Sequence, residues 1–570
     1  MKKILALLLA LSMLLALAAC GGTAVSGSAA SDAAETTTES AVSAAEPATA
    51  VEEPAATEET AEEASAEESA EEPPEAEAAA EPEEAGPPAL ELPLADHDVT
   101  LSAFWSYPPW LTNFIEAKDK PTFVEWSEAT GVDLDIVGVS LFNASEQFSL
   151  MVASSEYTDI VADFGMQYTG TYDQAVEDEI ICDLKDVIDA HCPNYYGLIH
   201  SEDEIYKAVV TNDGNIPGFM TINDNDVYIR GGYWINTDML SQVGMEMPET
   251  YDEWHDVLVA FRDQLGAEGA LWIDSYATSA DLTSGYGVKA GFYQEDGQVK
   301  FGFLEDGMKD YLTMMHDWYD DGLIYHDFYS QRAGADKPDP SIVDGGISGI
   351  WHNAANSYGE YTVAQSAISQ PILNHGDVNH FSERSDRVQS GSDWTITTAC
   401  ENVDIAAMML DYLYSEEGIM LTNYGIEGVS YDLVDGEPVY TELLTDNPDM
   451  SFNQALAIYA LFNTAGTYNV NKRMDINYSQ AQLDSREIWA EHNDTANNYP
   501  GAVTFNVDES ERFYALYNDI DTYIDENLLG FIIGTTPLDQ YDSFRDTLIS
   551  MGIEECIELT QAALDRYNAR

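Results

Sequence analysis

Positive charge is what this chain has least of. Its 22 Lys and Arg stand against 103 Asp and Glu, a formal net charge of −81. That balance excludes a general affinity for nucleic acid, which needs basic stripes to release counterions. It also argues against an anionic ligand held mainly by charge, unless a local Arg site serves it. A strongly acidic surface mainly confers solubility. Cysteine is scarce as well, with five residues in 570. Cys182, Cys192, Cys400 and Cys556 form no CxxC pair and no zinc spacing. Cys182 and Cys192 are near enough in sequence for a disulfide; buried free thiols are the alternative. The motifs of covalent and nucleotide chemistry are missing too. There is no G-x-S-x-G elbow, no P-loop and no Rossmann glycine pattern. Gly285, Gly287 and Gly291 have the wrong spacing, and His375, Asp377 and His380 lie on no H-E-x-x-H helix. A glycosidase needs only two carboxylates at a defined separation, which so acidic a chain does not exclude. The expectation is nonetheless a protein that is not an enzyme and carries no cofactor. Asp213-Gly-Asn215 and Asn223-Asp-Asn-Asp226 are oxygen-rich, but neither has the spacing of a twelve-residue calcium loop. Turns explain both.

Long hydrophobic runs are nearly absent. The one at the start, Ile4 to Leu17, is shorter than the roughly 20 residues a spanning helix needs. Lys2 and Lys3 precede it, and Leu17-Ala18-Ala19-Cys20 follows. A basic start, a short apolar core and small residues at the cut describe a secretory signal. The Cys resembles the lipobox of bacterial lipoproteins, where cleavage precedes the Cys and the thiol and new amine are acylated. Residues 1–19 are therefore expected to be a signal peptide and Cys20 a lipid anchor. Several acyl chains hold a protein at a membrane far better than one, which puts the protein on the outer face of the cytoplasmic membrane.

From Gly21 to Ala95 the chain contains no Lys, Arg, Tyr, Phe or Trp, and it holds twenty of the carboxylates. Paired Glu recurs at Glu52, Glu58, Glu62, Glu67, Glu71 and Glu83. Such a segment buries too little apolar area to offset its chain entropy, and like charges extend it. Unpaired neighbouring Glu residues and Pro47, Pro54, Pro73, Pro74 and Pro82 oppose an Ala/Glu helix. Residues 20–95 read as a disordered acidic tether.

Composition changes at Asp96. All ten Trp and all 33 Tyr lie beyond it, and 96–570 is long enough to divide into more than one lobe. The body alternates strand-like and helix-like segments. Val99–Phe104 is a β-rich run, and 113–130 reads as a helix closed by Gly131. Val132–Val139 alternates as a strand does, Phe148–Ser155 reads as a helix, and Asp159–Phe164 as a third strand. This β-α-β-α-β order predicts an α/β fold with a largely parallel sheet. Thr250-Tyr-Asp-Glu253 matches a capping box opening an amphipathic helix through Leu265. Lys309–Asp321, Ala406–Tyr414 and Ile553–Tyr567 read as further helices, and 451–530 as mostly helical.

These segments resemble, in order, the extracellular solute-binding proteins of family 1, in their large lipoprotein branch. The stretches that carry the resemblance are Phe148–Val161 (FSLMVASSEYTDIV), Ile180–His200 (IICDLKDVIDAHCPNYYGLIH) and Gly232–Phe261 (GYWINTDMLSQVGMEMPETYDEWHDVLVAF). Trp318–Tyr325 (WYDDGLIY), Asp404–Gly428 (DIAAMMLDYLYSEEGIMLTNYGIEG) and the end, Phe531–Gly534 to Ala562–Tyr567, complete them. Ser155-Glu156 stands where members often carry Gly-Asp, and Asn236-Thr237 where they often carry basic residues. The resemblance implies a two-lobe periplasmic-binding-protein-like fold of type II, with a hinge and a ligand cleft between lobes. It implies a monomer that closes on a carbohydrate and delivers it to ABC permease subunits in the membrane.

A pyranose has an apolar face and a polar edge, so candidate contacts are aromatics at strand ends with polar neighbours. Trp105 and Tyr107, with Trp110, follow the first strand; a packed loop with Pro108 and Pro109 is the other reading. Asp163 ends the third strand, as a hydroxyl acceptor or a helix cap. Trp272, beside Asp274, ends a strand-like run. Trp351 in GIWHNAANSY, with His352, Asn353 and Asn356 nearby, is the foremost candidate, at a position where sugar-binding members of the family place a stacking Trp. Trp394 stacks on ligand or lies in the core beneath the hinge. Glu427 and Tyr431 form a loop like the family's. Trp234, Trp254 and Trp318 fall on core faces. The aromatic count favours an oligosaccharide over a monosaccharide. A peptide-binding lipoprotein and a sugar sensor feeding a kinase are the alternatives among binders.

Overall fold

Apolar alternation and helix stop signals give the body two large sheets and two hairpins, with helices packed around them. In the computed structural model the described residues are 86–107, 117–224, 229–273, 279–331, 337–382, 384, 386–460 and 465–570. In chain order the first elements are β1 (Thr100–Tyr107), α1 (Pro121–Thr130), β2 (Asp133–Ser140), α2 (Leu141–Ser154), β3 (Ile160–Ala162), α3 (Phe164–Gln167), α4 (Tyr172–Glu177), α5 (Asp203–Val209) and β4 (Phe219–Asn223). Then come β5 (Gly231–Asn236), α6 (Tyr251–Ala260), β6 (Leu271–Trp272), the hairpin β7 (Phe292–Glu295) and β8 (Gln298–Phe301), α7 (Asp306–Asp320), β9 (Ile350–Ala354) and β10 (Gln365–Ala367). The chain continues through β11 (Val388–Ile396), α8 (Val403–Asp411), the hairpin β12 (Tyr431–Val434) and β13 (Glu437–Tyr440), β14 (Tyr468–Asn469), α9 (Gln480–Trp489), α10 (Val507–Ile532) and α11 (Ile553–Asn568).

The first sheet has the order β14-β4-β11-β3-β1-β2 and the second β10-β5-β9-β6. β1 runs parallel to β2 and β3, while β11 runs antiparallel to β3 and β4. The chain passes to the second sheet after β4, returns before β11 and leaves again after β14. Each sheet has its own large core. Leu101, Trp105, Trp126, Phe219, Trp394 and Leu410 belong to the first, and Tyr233, Trp254, Met308, Tyr311, Phe513 and Phe531 to the second. Two separate contact clusters define two lobes, and both lie in one compact unit, Pro82–Arg570. The α/β two-lobe architecture expected from the sequence is the one observed, but the sheets are mixed and not largely parallel, because β11, β5 and β10 return antiparallel to their neighbours.

Local signals explain several boundaries. α1 opens with Pro121 in its first turn and closes on Gly131 at φ 69°, a left-handed cap; the expected helix over 113–130 is thus shorter, its residues 113–116 lying outside those described. The Thr250/Glu253 capping box at the start of α6 is present with both of its hydrogen bonds. Packed structure begins before the compositional boundary at Asp96. Leu90, Leu94 and Ala95 pack on the first core, and Leu94 N donates to Thr130 O at 2.7 Å. The physical reason is a return of Leu at 90, 92 and 94, apolar area the preceding Ala/Glu stretch lacks. The tether up to residue 85, with Cys20 and the signal segment, lies outside the described residues. Cys182 and Cys192 are free thiols.

Candidate ligand cleft

The end of β3 builds the site. Ile160, Val161 and Ala162 are wholly buried, so the strand enters from the core and must turn at once on emerging. Asp163 makes that turn in the left-handed region at φ 55°, and α3 begins at Phe164. From the adjacent β11 a bulge between Gln389 and Asp393 brings Gly391 against the turn. The approach is glycine to glycine: a Cβ on Gly165 would lie 2.6 Å from Gly391 Cα and would strike the Tyr172 hydroxyl.

A pocket of about 540 Å³ opens beside this turn. The first lobe contributes Phe164, Tyr168, Thr169, Thr171, Tyr172 and Asp173, the end of α5 through Thr211, and Val388, Ser390 and Gly391. Across from them stand Ala502–Phe505, Ser510, Tyr514 and Arg570. That segment packs with the second lobe: Phe505 rests on its core, its ring 4.6 Å from buried Phe513. The pocket therefore lies between the lobes. Its first-lobe wall is a stack of rings, with Tyr168 at 5.1 Å and 26° to Phe164, and Tyr172 at 6.1 Å and 27°. Hydroxyls of Thr169, Ser390, Thr504 and Ser510 stand around it.

A buried carboxylate underpins the wall. Asp393 Oδ1 accepts from Phe164 N at 2.7 Å, its Oδ2 accepts the Tyr172 hydroxyl, and its carbonyl accepts from Asp163 N at 2.7 Å. Burial pushes the Asp393 carboxyl up to about 7, with the Tyr172 hydroxyl bond opposing. Burial likewise raises Asp163 to about 6, against a 3.0 Å hydrogen bond that Ser106 Oγ donates to its Oδ2. The Tyr172 hydroxyl is raised well above its usual range by burial and then by the charge of Asp393.

Of the described residues singled out from the sequence, Asp163 alone adjoins this pocket, through the next residue Phe164. Trp105 is 3% exposed on β1, its ring edge-on to Phe123 at 5.2 Å, with the buried Lys120 amine 5.4 Å above it. Tyr107 is half-buried at the end of β1, its ring 6.0 Å from that of Trp105. Trp394 is buried in the first core against Trp126 at 6.2 Å. Trp272 and Trp351, expected at the ligand, are buried in a core cluster instead. The registers Trp234↔Trp351 and Trp272↔Trp351 set three Trp side by side on one face of the second sheet. Trp489 of α9 stands edge-on to Trp234 at 5.2 Å, Tyr361 stands edge-on to Trp351 at 5.5 Å, and Trp351 is 0% exposed. Asn353, on the same face, is buried and accepts from Trp234 Nε1 through its carbonyl at 3.2 Å. Glu427 is exposed on a loop, and Tyr431 is buried with Tyr424 and Tyr440 in a small separate cluster. Trp110 and Asp274 lie outside the described residues. The pocket aromatics Tyr168, Tyr172, Phe505 and Tyr514 were not anticipated. The signal that could have found the first two is the stretch FGMQYTGTY directly after the third strand, where glycines alternate with rings.

The described parts of the oxygen-rich stretches are bound within the protein, while Asn225 and Asp226 lie outside the described residues. Asp173 accepts from Asn215 Nδ2 at 2.8 Å, from Asp213 N at 3.3 Å and from the Thr211 hydroxyl. Asp224 accepts from Asn471 N and Nδ2, both at 3.0 Å. Among the described residues no group of three or more His, Cys, Asp or Glu is placed to hold a metal ion.

Two lobes, three passages between them and a pocket at the strand ends define the class of solute-binding proteins. The profile of the bacterial extracellular solute-binding protein family matches residues 105–420, more than half of the chain, and the chain belongs to that family. Lipoprotein LipO of Bacillus subtilis is 24% identical over 382 residues, 62% of this chain and 72% of its own. The fructooligosaccharide ABC transporter substrate-binding protein FusA of Streptococcus pneumoniae is 22% identical over 476 residues, 77% of this chain and 86% of its own. Among solved structures, the alginate-binding protein AlgQ2 superposes with TM-score 0.65 at 21% identity, over 83% of this chain and 99% of its own. An extracellular solute-binding protein of Bifidobacterium longum subsp. infantis does so with TM-score 0.68 at 17% identity, over 82% and 98%. At these identities the superpositions establish the fold.

Proposed function

We propose that this chain is the ligand-capturing lipoprotein of an ABC importer, and that it holds an oligosaccharide between its lobes and hands it to a membrane permease. The observation that carries the reading is the ring stack Tyr168–Phe164–Tyr172 facing an interlobe pocket set with hydroxyls. Rings pack on the apolar face of a pyranose, and hydroxyls and carboxylates meet its edge. FusA, a fructooligosaccharide binder by name, is among the relatives, and a human-milk-oligosaccharide-binding protein shares the fold at TM-score 0.68. Cys20 after a short apolar segment supports anchoring at the extracellular face of the membrane. Lobe closure on the ligand supplies the two-state signal a permease reads. A binding role, with no catalysis, suits a pocket whose carboxylates are occupied by protein partners. Tyr168, Tyr172, Phe505, Tyr514 and Ser390, with Asp163 behind them, are the proposed contacts, and the protein acts as a monomer.

The test is a thermal-shift screen of the full-length protein against glycans and peptides, with recovery of each ligand that stabilises. A ligand that binds the folded form alone raises the melting point by mass action. The reading expects stabilisation by oligosaccharides recovered unchanged. Cleaved glycans would make the protein a hydrolase, and stabilisation by peptides alone would make it a peptide receptor.

A further inference from the structure

The pocket sits on an acidic body, and its charged wall residues decide what ligand charge it tolerates. Two lining side chains are charged, Asp173 and Arg570. An acidic sugar would need the cation. Both terminal nitrogens of that guanidinium are already committed, and its Nε, though unpartnered, is buried. Arg570 Nη1 donates to Lys207 O at 2.7 Å, and Nη2 donates to Asn212 Oδ1 at 2.7 Å and Thr504 Oγ1 at 3.3 Å. It also lies 5.3 Å from the Tyr567 ring centroid. These bonds tie the last helix and the 502–505 segment to the first lobe, so turning Arg570 toward a ligand would undo the wall it helps to build.

Two further cations stand near the wall, and both are engaged: Arg566 Nη2 reaches Thr504 O at 3.5 Å while its Nη1 donates to Glu509 Oε1 at 2.8 Å, and Lys207 Nζ donates to Asn568 O at 3.2 Å. Carboxylates stand on the first-lobe side. Asp163 and Asp393 lie directly behind Phe164 and Tyr172, and burial leaves Asp393 only partly ionised near neutral pH. Asp173 is satisfied by Thr211, Asn215 and Asp213 and has no need of a cationic ligand. The segments outside the described residues in the body add little: 108–116, 225–228, 274–278 and 461–464 contain no Lys or Arg, and 332–336 contains Arg332. Screening limits long-range repulsion beyond about 8 Å at physiological salt, so the discrimination comes from this local wall.

Resting on the reading of the site as an oligosaccharide cleft, we infer that it selects neutral glycans and rejects those bearing uronate carboxylates. A uronate closed between the lobes would bring a charge out of water with no partner. Leaving a buried charge unpaired costs enough to weaken binding about 100-fold or more.

The experiment is calorimetric titration of the full-length protein, at physiological salt, with two series of tetrasaccharides. One is neutral: nystose, maltotetraose, cellotetraose, mannotetraose and methyl-esterified tetragalacturonate. The other is acidic: tetragalacturonate, tetramannuronate and tetraguluronate. The expected result is binding within the neutral series and, for every acid, binding at least about 100-fold weaker than the best neutral glycan. Thr169→Lys, on an exposed lining position, should narrow that gap by admitting the acids. An acid that binds as tightly as the neutral glycans overturns the inference and leaves the oligosaccharide reading standing. A protein that binds neither series contradicts the oligosaccharide reading itself, and the inference falls with it.

Discussion

The two lobes use aromatic residues at strand ends in opposite ways. In the second, Trp234, Trp272 and Trp351 stand abreast on the sheet, with Trp489 of α9 packed on Trp234 and Tyr361 on Trp351. In the first, Phe164, Tyr168 and Tyr172 follow β3 through a glycine contact that leaves one side of the stack open to the pocket. Both sets are aromatic and lie close to a sheet, the Trp within β5, β6 and β9 and the Phe and Tyr just after β3. What differs is whether a later segment of chain arrives to cover the rings. A packed ring is worth stability, and an uncovered one is available to a ligand.

Mutation can break this contrast from either side. Trp351→Ala should cost the most, about 3–5 kcal/mol of unfolding free energy for a large buried aromatic, read by denaturant titration, with ligand affinity preserved in the molecules that remain folded. Affinity lost at unchanged stability would return Trp351 to the binding site. Gly165→Ala comes next. Its methyl has no room between Gly391 and Tyr172, so overpacking of about 1–3 kcal/mol should appear together with loss of ligand binding. Unaltered binding would mean that the turn does not shape the pocket.

The carboxylate behind the wall sharpens the comparison through pH. Asp393 is raised from 3.8 to about 7, so the folded state holds a proton that the unfolded state releases once pH passes its ordinary value. Its contribution to stability is most favourable at low pH and falls between about pH 4 and 7, since the unfolded chain binds fewer protons there. Asp393→Asn should therefore gain on the wild type by about 1 kcal/mol per pH unit across pH 5 to 7 in thermal melts. A gap that stays level would show that Asp393 is not the group titrating. Tyr168→Ala should be the mildest for the fold, under about 1 kcal/mol at a partly exposed position, yet weaken oligosaccharide binding about tenfold or more by calorimetry.

The lobes' elements were legible in the sequence where local signals are strong: Gly131 ends α1, the Thr250 box starts α6, and the apolar run over 159–164 marks β3. The site was less so. β11 crosses between β3 and β4 after more than 160 intervening residues, and no local pattern announces that its Gly391 will meet Gly165. The Trp ladder misled for the same reason. A strand ending in Trp followed by His and Asn looks like a ligand platform until the register with Trp234 and the arrival of Trp489 are known. Asp163 was legible as the residue that ends β3; it stands at the start of α3, behind the pocket wall, with Ser106 as its partner.

The most direct test of the account is hydrogen exchange of the full-length protein with and without a saturating oligosaccharide identified by the thermal screen. The account predicts that protection gained on binding concentrates in 164–173, in 388–391 and in 502–514. Protection confined to the neighbourhood of Trp351 or to the β12–β13 hairpin, with those segments unchanged, would contradict it.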